Sequence, residues 1–150
     1  MPLLPPSTNA DYQGPQWAAW FLMLLGVFEF IPGLIHYFLP DGGAGVIGGV
    51  DLSTRRQTII TVFAWFGSIQ IPYGLMLFVI GLRYRPLVPL GLMAVILSRG
   101  LMSYDGWFGK GSLGGHHPPE HYGSPVAVVL AVIVLLVVLR AAQKTGSPRP

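Results

Sequence analysis

Apolar residues gather along this chain into four long blocks instead of recurring at the spacing of an amphipathic helix. The blocks cover residues 17–39, 58–82, 87–104 and 125–142, with Gly, Pro and charged side chains between them. A hydrocarbon slab about 30 Å thick asks for about 20 mostly apolar residues from each helix that crosses it, and the blocks have that scale. The predicted fold is therefore all-α, an integral membrane four-helix bundle over residues 17–142 with a Gly-rich first loop and a long, His-containing third loop. Trp17 and Trp20 at one end of the first block, and Tyr37 at the other, stand where interfacial aromatic anchors belong. Asp51 or Ser53 reads as the cap of the second helix, and Ser124 followed by Pro125 as the cap and first turn of the fourth. No polar side chain interrupts residues 126–139, so the fourth helix is expected to be the most lipid-exposed and to carry little chemistry.

Residues 1–16 contain five prolines and glycines and no Lys or Arg. They lack the basic start and cleavage site of a signal peptide, and read as a disordered lead into a retained first helix. Residues 143–150 read as a disordered tail.

Composition strengthens the membrane reading: 52% of the chain is apolar and only 10% charged, against roughly a quarter charged in soluble domains. The nine Lys and Arg behind the net charge of +3 are scattered at block ends, not collected into the stripe that nucleic acid requires. With no cysteine, disulfides, thiolate nucleophiles and Cys-type metal sites are excluded. Arg83, Arg85, Arg140, Lys144 and Arg149 lie on the side of the termini, whereas Arg55, Arg56 and Lys110 lie on the other. The excess predicts that both termini are cytoplasmic and that the two longer loops face outward.

An ionisable group inside such a slab costs about 2.5–3.5 kcal/mol at mid-helix on insertion scales, so each one needs a partner or a task. Glu29 and Arg99 each lie about 18 Å along helices that run the same way, which makes them level and predicts a bridge between the first and third helices. His36 stands two turns beyond Glu29 on a face shared with Gly26 and Gly33, a small and polar face that turns into the bundle. Pro32 and Pro72 interrupt the first two helices, and Gln70 sits beside the second interruption. Glu29, His36, Gln70 and Arg99 are thus the candidate ligand residues. Either these prolines open a cavity, or they only kink helices around bulky neighbours.

Gly67, Gly74 and Gly81 recur every seven residues, a smooth stripe that places the second helix at the bundle centre or at a dimer interface. Residues 43–48 match G-x-G-x-x-G literally, but no strand precedes them, and a flexible loop or re-entrant turn is the better account. His116, His117, Glu120 and His121 gather imidazole and carboxylate, the ligand set of zinc or copper, and match H-x-x-E-H. Pro118-Pro119 keeps His117 off a helical face, so the segment is expected as a stiff loop over the outer mouth of the bundle. If it folds inward, His117 or His121 would meet His36 and Arg99 there.

Four short spans, a Pro- and Gly-rich exit from the first helix, the central Gln70 and the late Arg99 together resemble the DoxX-like group of small bacterial membrane proteins. That resemblance covers the layout of most of the chain. It implies an inner-membrane protein near quinone-linked redox partners, and assigns no catalytic residue. Three functions stand side by side. The first is an accessory subunit or binder of a lipophilic ligand, partnered by bilayer lipid and by a larger complex or a second copy. The second is a membrane redox enzyme using a quinone or a divalent metal at the outer polar site. The third is a transporter lined by Glu29 and Arg99, which four helices would support only as an oligomer.

Overall fold

Each apolar block forms one helix in the computed structural model, which describes residues 3–146. The helices are α1 (Gln16–Phe38), α2 (Arg56–Arg83), α3 (Val88–Phe108) and α4 (Pro119–Gly146), and no strand occurs among the described residues. All four are long and apolar enough to cross a membrane. Large apolar side chains cover the outside, among them Trp65, Leu101 and Phe108, as expected of a surface solvated by lipid.

The helices form two antiparallel pairs, α1 with α2 and α3 with α4, and the pairs meet chiefly where α1 touches α3. Glycine decides the first pairing. A methyl group on Gly74 would lie 2.5 Å from the Gly26 carbonyl oxygen, and one on Gly67 would lie 2.7 Å from that of Gly33. The two backbones therefore touch directly, the close approach that small residues permit in membranes. The glycine stripe serves the α1–α2 pair and does not centre α2 in the bundle, because Val62, Trp65, Ile69 and Met76 on its other side are exposed. Between α1 and α3, Leu22 fills the space above Gly91. Around it lies an apolar core of Ala18, Leu25, Leu77, Val88, Leu92, Val95, Ala131, Val134 and Val138.

Several boundaries differ from expectation, each for a local reason. α4 starts at Pro119, six residues before the expected Pro125, since a proline opens a helix as readily at position 119. Pro125 then lies inside α4 and cannot donate to the carbonyl of His121. The indole Nε1 of Trp107 donates to that oxygen instead, at 2.9 Å, so the helix continues. Ser124 is consequently no cap; it is buried inside α4. α3 runs on to Phe108, where the Asp105 side chain accepts the backbone N–H of Lys110 and closes the helix.

Asp51 and Ser53 do not cap α2 either: Asp51 turns on Ser53, accepting its N–H at 2.8 Å and its hydroxyl at 2.9 Å. The helix begins instead after Arg55, which adopts the left-handed conformation with φ 52°.

Residues 5–12 of the N-terminal segment lie against the end of α2. Ser7 donates to the Arg83 carbonyl at 3.0 Å and Asn9 to that of Leu82 at 2.7 Å, and Tyr84 donates to Pro5 at 2.9 Å. The first two bonds satisfy carbonyls that the end of α2 leaves without helical donors, and the third returns a donor to the N-terminal segment. At the other terminus α4 extends to Gly146, past the start of the expected tail, and residues 147–150 lie outside the described residues.

Candidate functional site

The polar side chains inside the bundle all fall in the half that holds the two longer loops. Glu29 on α1 and Arg99 on α3 pair at 2.7 Å, with side chains 7% and 12% exposed, as their equal depth along parallel helices predicted. Gln70 on α2 donates its amide to the second Glu29 oxygen at 3.4 Å, and Arg99 reaches the Ser124 hydroxyl on α4 at 3.4 Å. One chain of polar groups, Gln70–Glu29–Arg99–Ser124, thereby ties all four helices together at a single level. Charge-assisted bonds of this kind fix the rotation of each helix about its axis.

A second polar pair lies one to two turns further along, at the loop end. His36 donates through Nδ1 to the Gly42 carbonyl, 2.7 Å away, and its ring lies edge-on to Phe63. Its Nε2 faces the Glu120 carboxylate at 3.6 Å, an ion-pair distance longer than a hydrogen bond. Glu120, rather than His117 or His121, is thus the group that folds inward to His36. The two histidines instead build the wall outside it: His117 stacks on Trp107 with ring centres 4.4 Å apart, and His117 and His121 approach through their Nδ1 atoms at 3.0 Å. One ring must then donate and the other accept. His116 turns away to the Gly48 carbonyl at 2.6 Å and joins the third loop to the first. The four expected metal ligands are dispersed in this way, and no group of three or more candidate ligands gathers among the described residues.

The Gly-rich loop is ordered from within. The Asp41 carboxylate accepts the backbone N–H groups of Gly43, Gly45 and Val46 at 2.9, 3.1 and 3.0 Å. These donors are the ones a phosphate would require from a G-x-G-x-x-G segment, and an internal carboxylate already occupies them. The same N–H groups hold the Asp41 carboxyl below its usual range, because they bond to the charged form. Gly42 and Gly43 carry positive φ values of 63° and 71°, which the tight turn requires.

Two clefts flank the polar chain because the helix pairs meet over a narrow contact, chiefly along α1 and α3 and less along α2 and α3. The larger, about 440 Å³, opens between α1 and α4. Phe21, Leu24, Phe28, Val126 and Leu130 form its apolar length, and Glu29, Arg99, Ser124 and Glu120 form its polar end. From Phe21 to Pro32 it follows α1 for about 16 Å. The smaller, about 250 Å³, opens between α2 and α3 and is lined by Phe66, Ile69, Gln70, Tyr73, Ser98 and Met102 as well as the ion pair. Glu29 and Arg99 therefore form a partition with a cleft on each side.

Sequence reasoning missed Ser124 and the role of Glu120. α4 is indeed the least buried helix, but its early start brings both residues to the site. Only the spacing of Glu120 and Ser124, four residues apart and hence on one helical face, could have pointed to them. Compared with known protein families, curated sequences and solved structures, the chain matches none.

Proposed function

We propose that this chain is a multi-pass membrane protein that binds a lipophilic molecule with an uncharged polar head in the α1/α4 cleft. The observation that carries this reading is the polarity of the cleft, apolar along α1 and α4 and polar at one end only. Arg99 and Ser124 supply donors there and Glu120 an acceptor, a small set of placed polar groups in an otherwise apolar pocket. Glu29 neutralises Arg99, so no positive charge is left over to favour an anionic head. The cleft faces the bilayer through Leu24, Phe28 and Val126, all exposed, which supports entry from the lipid.

A binder of this size suits an accessory subunit that serves a larger membrane complex or a second copy of itself. The Lys and Arg balance supports an orientation with both termini cytoplasmic, and the DoxX-like layout supports a location in the inner membrane. The DoxX-like layout favours a quinone as ligand, whose carbonyl oxygens would accept from Arg99 and Ser124, and this is the redox alternative to simple binding. Extraction of the detergent-purified protein and mass spectrometry of the extract test the binding reading. Ala127 lines the cleft without a polar role, so Ala127→Trp is expected to fill it and lower the co-purified amphiphile by about tenfold. Equal amounts in both proteins would sink the reading.

A further inference from the structure

The α2/α3 cleft is a separate opening from the one proposed above, and Gln70, one of its lining residues, carries an unmet hydrogen-bond acceptor. Gln70 is 2% exposed and lines this cleft. Its Nε2 faces Glu29, a carboxylate that only accepts, which fixes the amide orientation and leaves Oε1 as the remaining atom. That oxygen is buried and has no donor. A buried acceptor without a partner carries a desolvation penalty that a bound donor would relieve.

The neighbouring hydroxyls are also loosely engaged. Tyr73 and Ser98 meet at 3.4 Å, well beyond the usual 2.7–2.8 Å of a bond between hydroxyls. Ser98 donates its proton to the Val95 carbonyl at 3.2 Å, so it keeps acceptor capacity only, whereas Tyr73 keeps a weakly used proton. Around them the walls are apolar, Phe66, Ile69 and Met102. Phe66 and Ile69 are exposed on the lipid-facing surface, which gives a route in from the bilayer. The volume of about 250 Å³ exceeds the roughly 150 Å³ of a cavity that holds benzene, so one ring fits with room to spare. Since Glu29 and Arg99 cancel each other's charge, nothing on this side selects an ion.

We infer that the α2/α3 cleft is a second binding site, for a lipophilic phenol or alcohol whose hydroxyl donates to Gln70 Oε1. An ether or ketone of the same shape can only accept, and it would leave that oxygen unmet. The site thus distinguishes a hydroxyl from its capped or oxidised counterpart. It stands apart from the reading of the α1/α4 cleft: neither the Gln70 acceptor nor the Tyr73 and Ser98 hydroxyls line that opening.

The experiment compares 4-octylphenol with 4-octylanisole, its methyl ether, on the full chain in lipid nanodiscs. Binding is read as the excess over empty discs, which removes simple partitioning into lipid. The phenol is expected to bind saturably and the ether about tenfold more weakly. Gln70→Met is expected to abolish that preference. Ile69→Trp narrows the mouth while leaving the polar cluster intact, and is expected to weaken phenol binding should Gln70→Met fail to fold. Ala127→Trp, in the other cleft, leaves phenol binding unchanged and so separates the two sites. Equal affinity for phenol and ether, a preference that survives Gln70→Met, or full phenol binding by Ile69→Trp would each overturn the inference.

Discussion

The half of the bundle that holds the termini and the half that holds the two longer loops use the same four helices in opposite ways. Towards the termini, α1 offers Ala18, Leu22 and Leu25, α3 Val88, Leu92 and Val95, and α4 Ala131, Val134 and Val138, and these close into a dry core. Towards the loops the same helices offer Glu29 and His36, Arg99, and Glu120 and Ser124, and clefts remain on both sides. Packing holds one half and polar bonding the other. In a bilayer, where lipid is as apolar as the helices themselves, the first works through close fit and the second through charges that have no better partner. A protein that must admit a ligand from lipid gains from this division, because opening the polar half need not loosen the core.

The largest effect is expected from breaking the ion pair. Glu29→Leu leaves Arg99 charged and unpartnered, and should cost about 4 kcal/mol in a reversible detergent unfolding titration. The double replacement Glu29→Leu with Arg99→Leu should recover most of that loss, because two apolar side chains replace both charges. A double variant as unstable as the single one would show that the pair is not the tie between the helices.

Next comes a comparison of two leucines. Leu22 is fully buried over Gly91, and Leu22→Ala is expected to cost about 3 kcal/mol. Leu130, 45% exposed at the α1/α4 cleft, should lose about 0.5 kcal/mol or less on the same change. Similar losses at the two positions would erase the distinction between closed and open halves.

A smaller effect tests how α4 passes through Pro125. Trp107→Phe removes the donor to the His121 carbonyl and should cost about 1 kcal/mol. With Pro125→Ala already in place, a backbone N–H is available to the same oxygen, and Trp107→Phe should cost measurably less. A double-mutant cycle by thermal unfolding reads the difference.

The smallest is confined to the Gly-rich loop. Its N–H donors lower the folded value of Asp41, so the contribution of Asp41 is complete above its unfolded value and fades as pH falls through the lower folded one. Carbon NMR of the Asp41 carboxyl should titrate with a midpoint below the ordinary value of about 3.9. A midpoint at or above that value would mean that the loop is not organised around this side chain.

The helices were legible because apolar block length is set by the bilayer and needs no tertiary knowledge. The Glu29–Arg99 pair was legible for a related reason: depth along a helix follows from rise per residue, and equal depth limits the choice of partner. What escaped depends on contacts between distant segments. Pro125 reads as a helix start until Trp107 is known to serve the carbonyl behind it. The bonds from residues 5–12 to the end of α2 escaped because they depend on the Leu82 and Arg83 carbonyls lacking helical donors. The glycine stripe announced a close approach without naming α1 as the partner. Likewise Pro118-Pro119 marked a stiff segment, and only the fold reveals that it launches α4 and points Glu120, not a histidine, at His36.

Photo-crosslinking in nanodiscs with monoacylglycerols tests the proposed binding in the α1/α4 cleft most directly, using one probe with a diazirine near the glycerol head and another with it near the tail end. The head probe is expected to label Glu120, Ser124 and their neighbours, and the tail probe to label Phe21, Leu24 and Leu130. Labels from both probes spread evenly over the outer faces of all four helices, including Trp65 and Leu75, would contradict it.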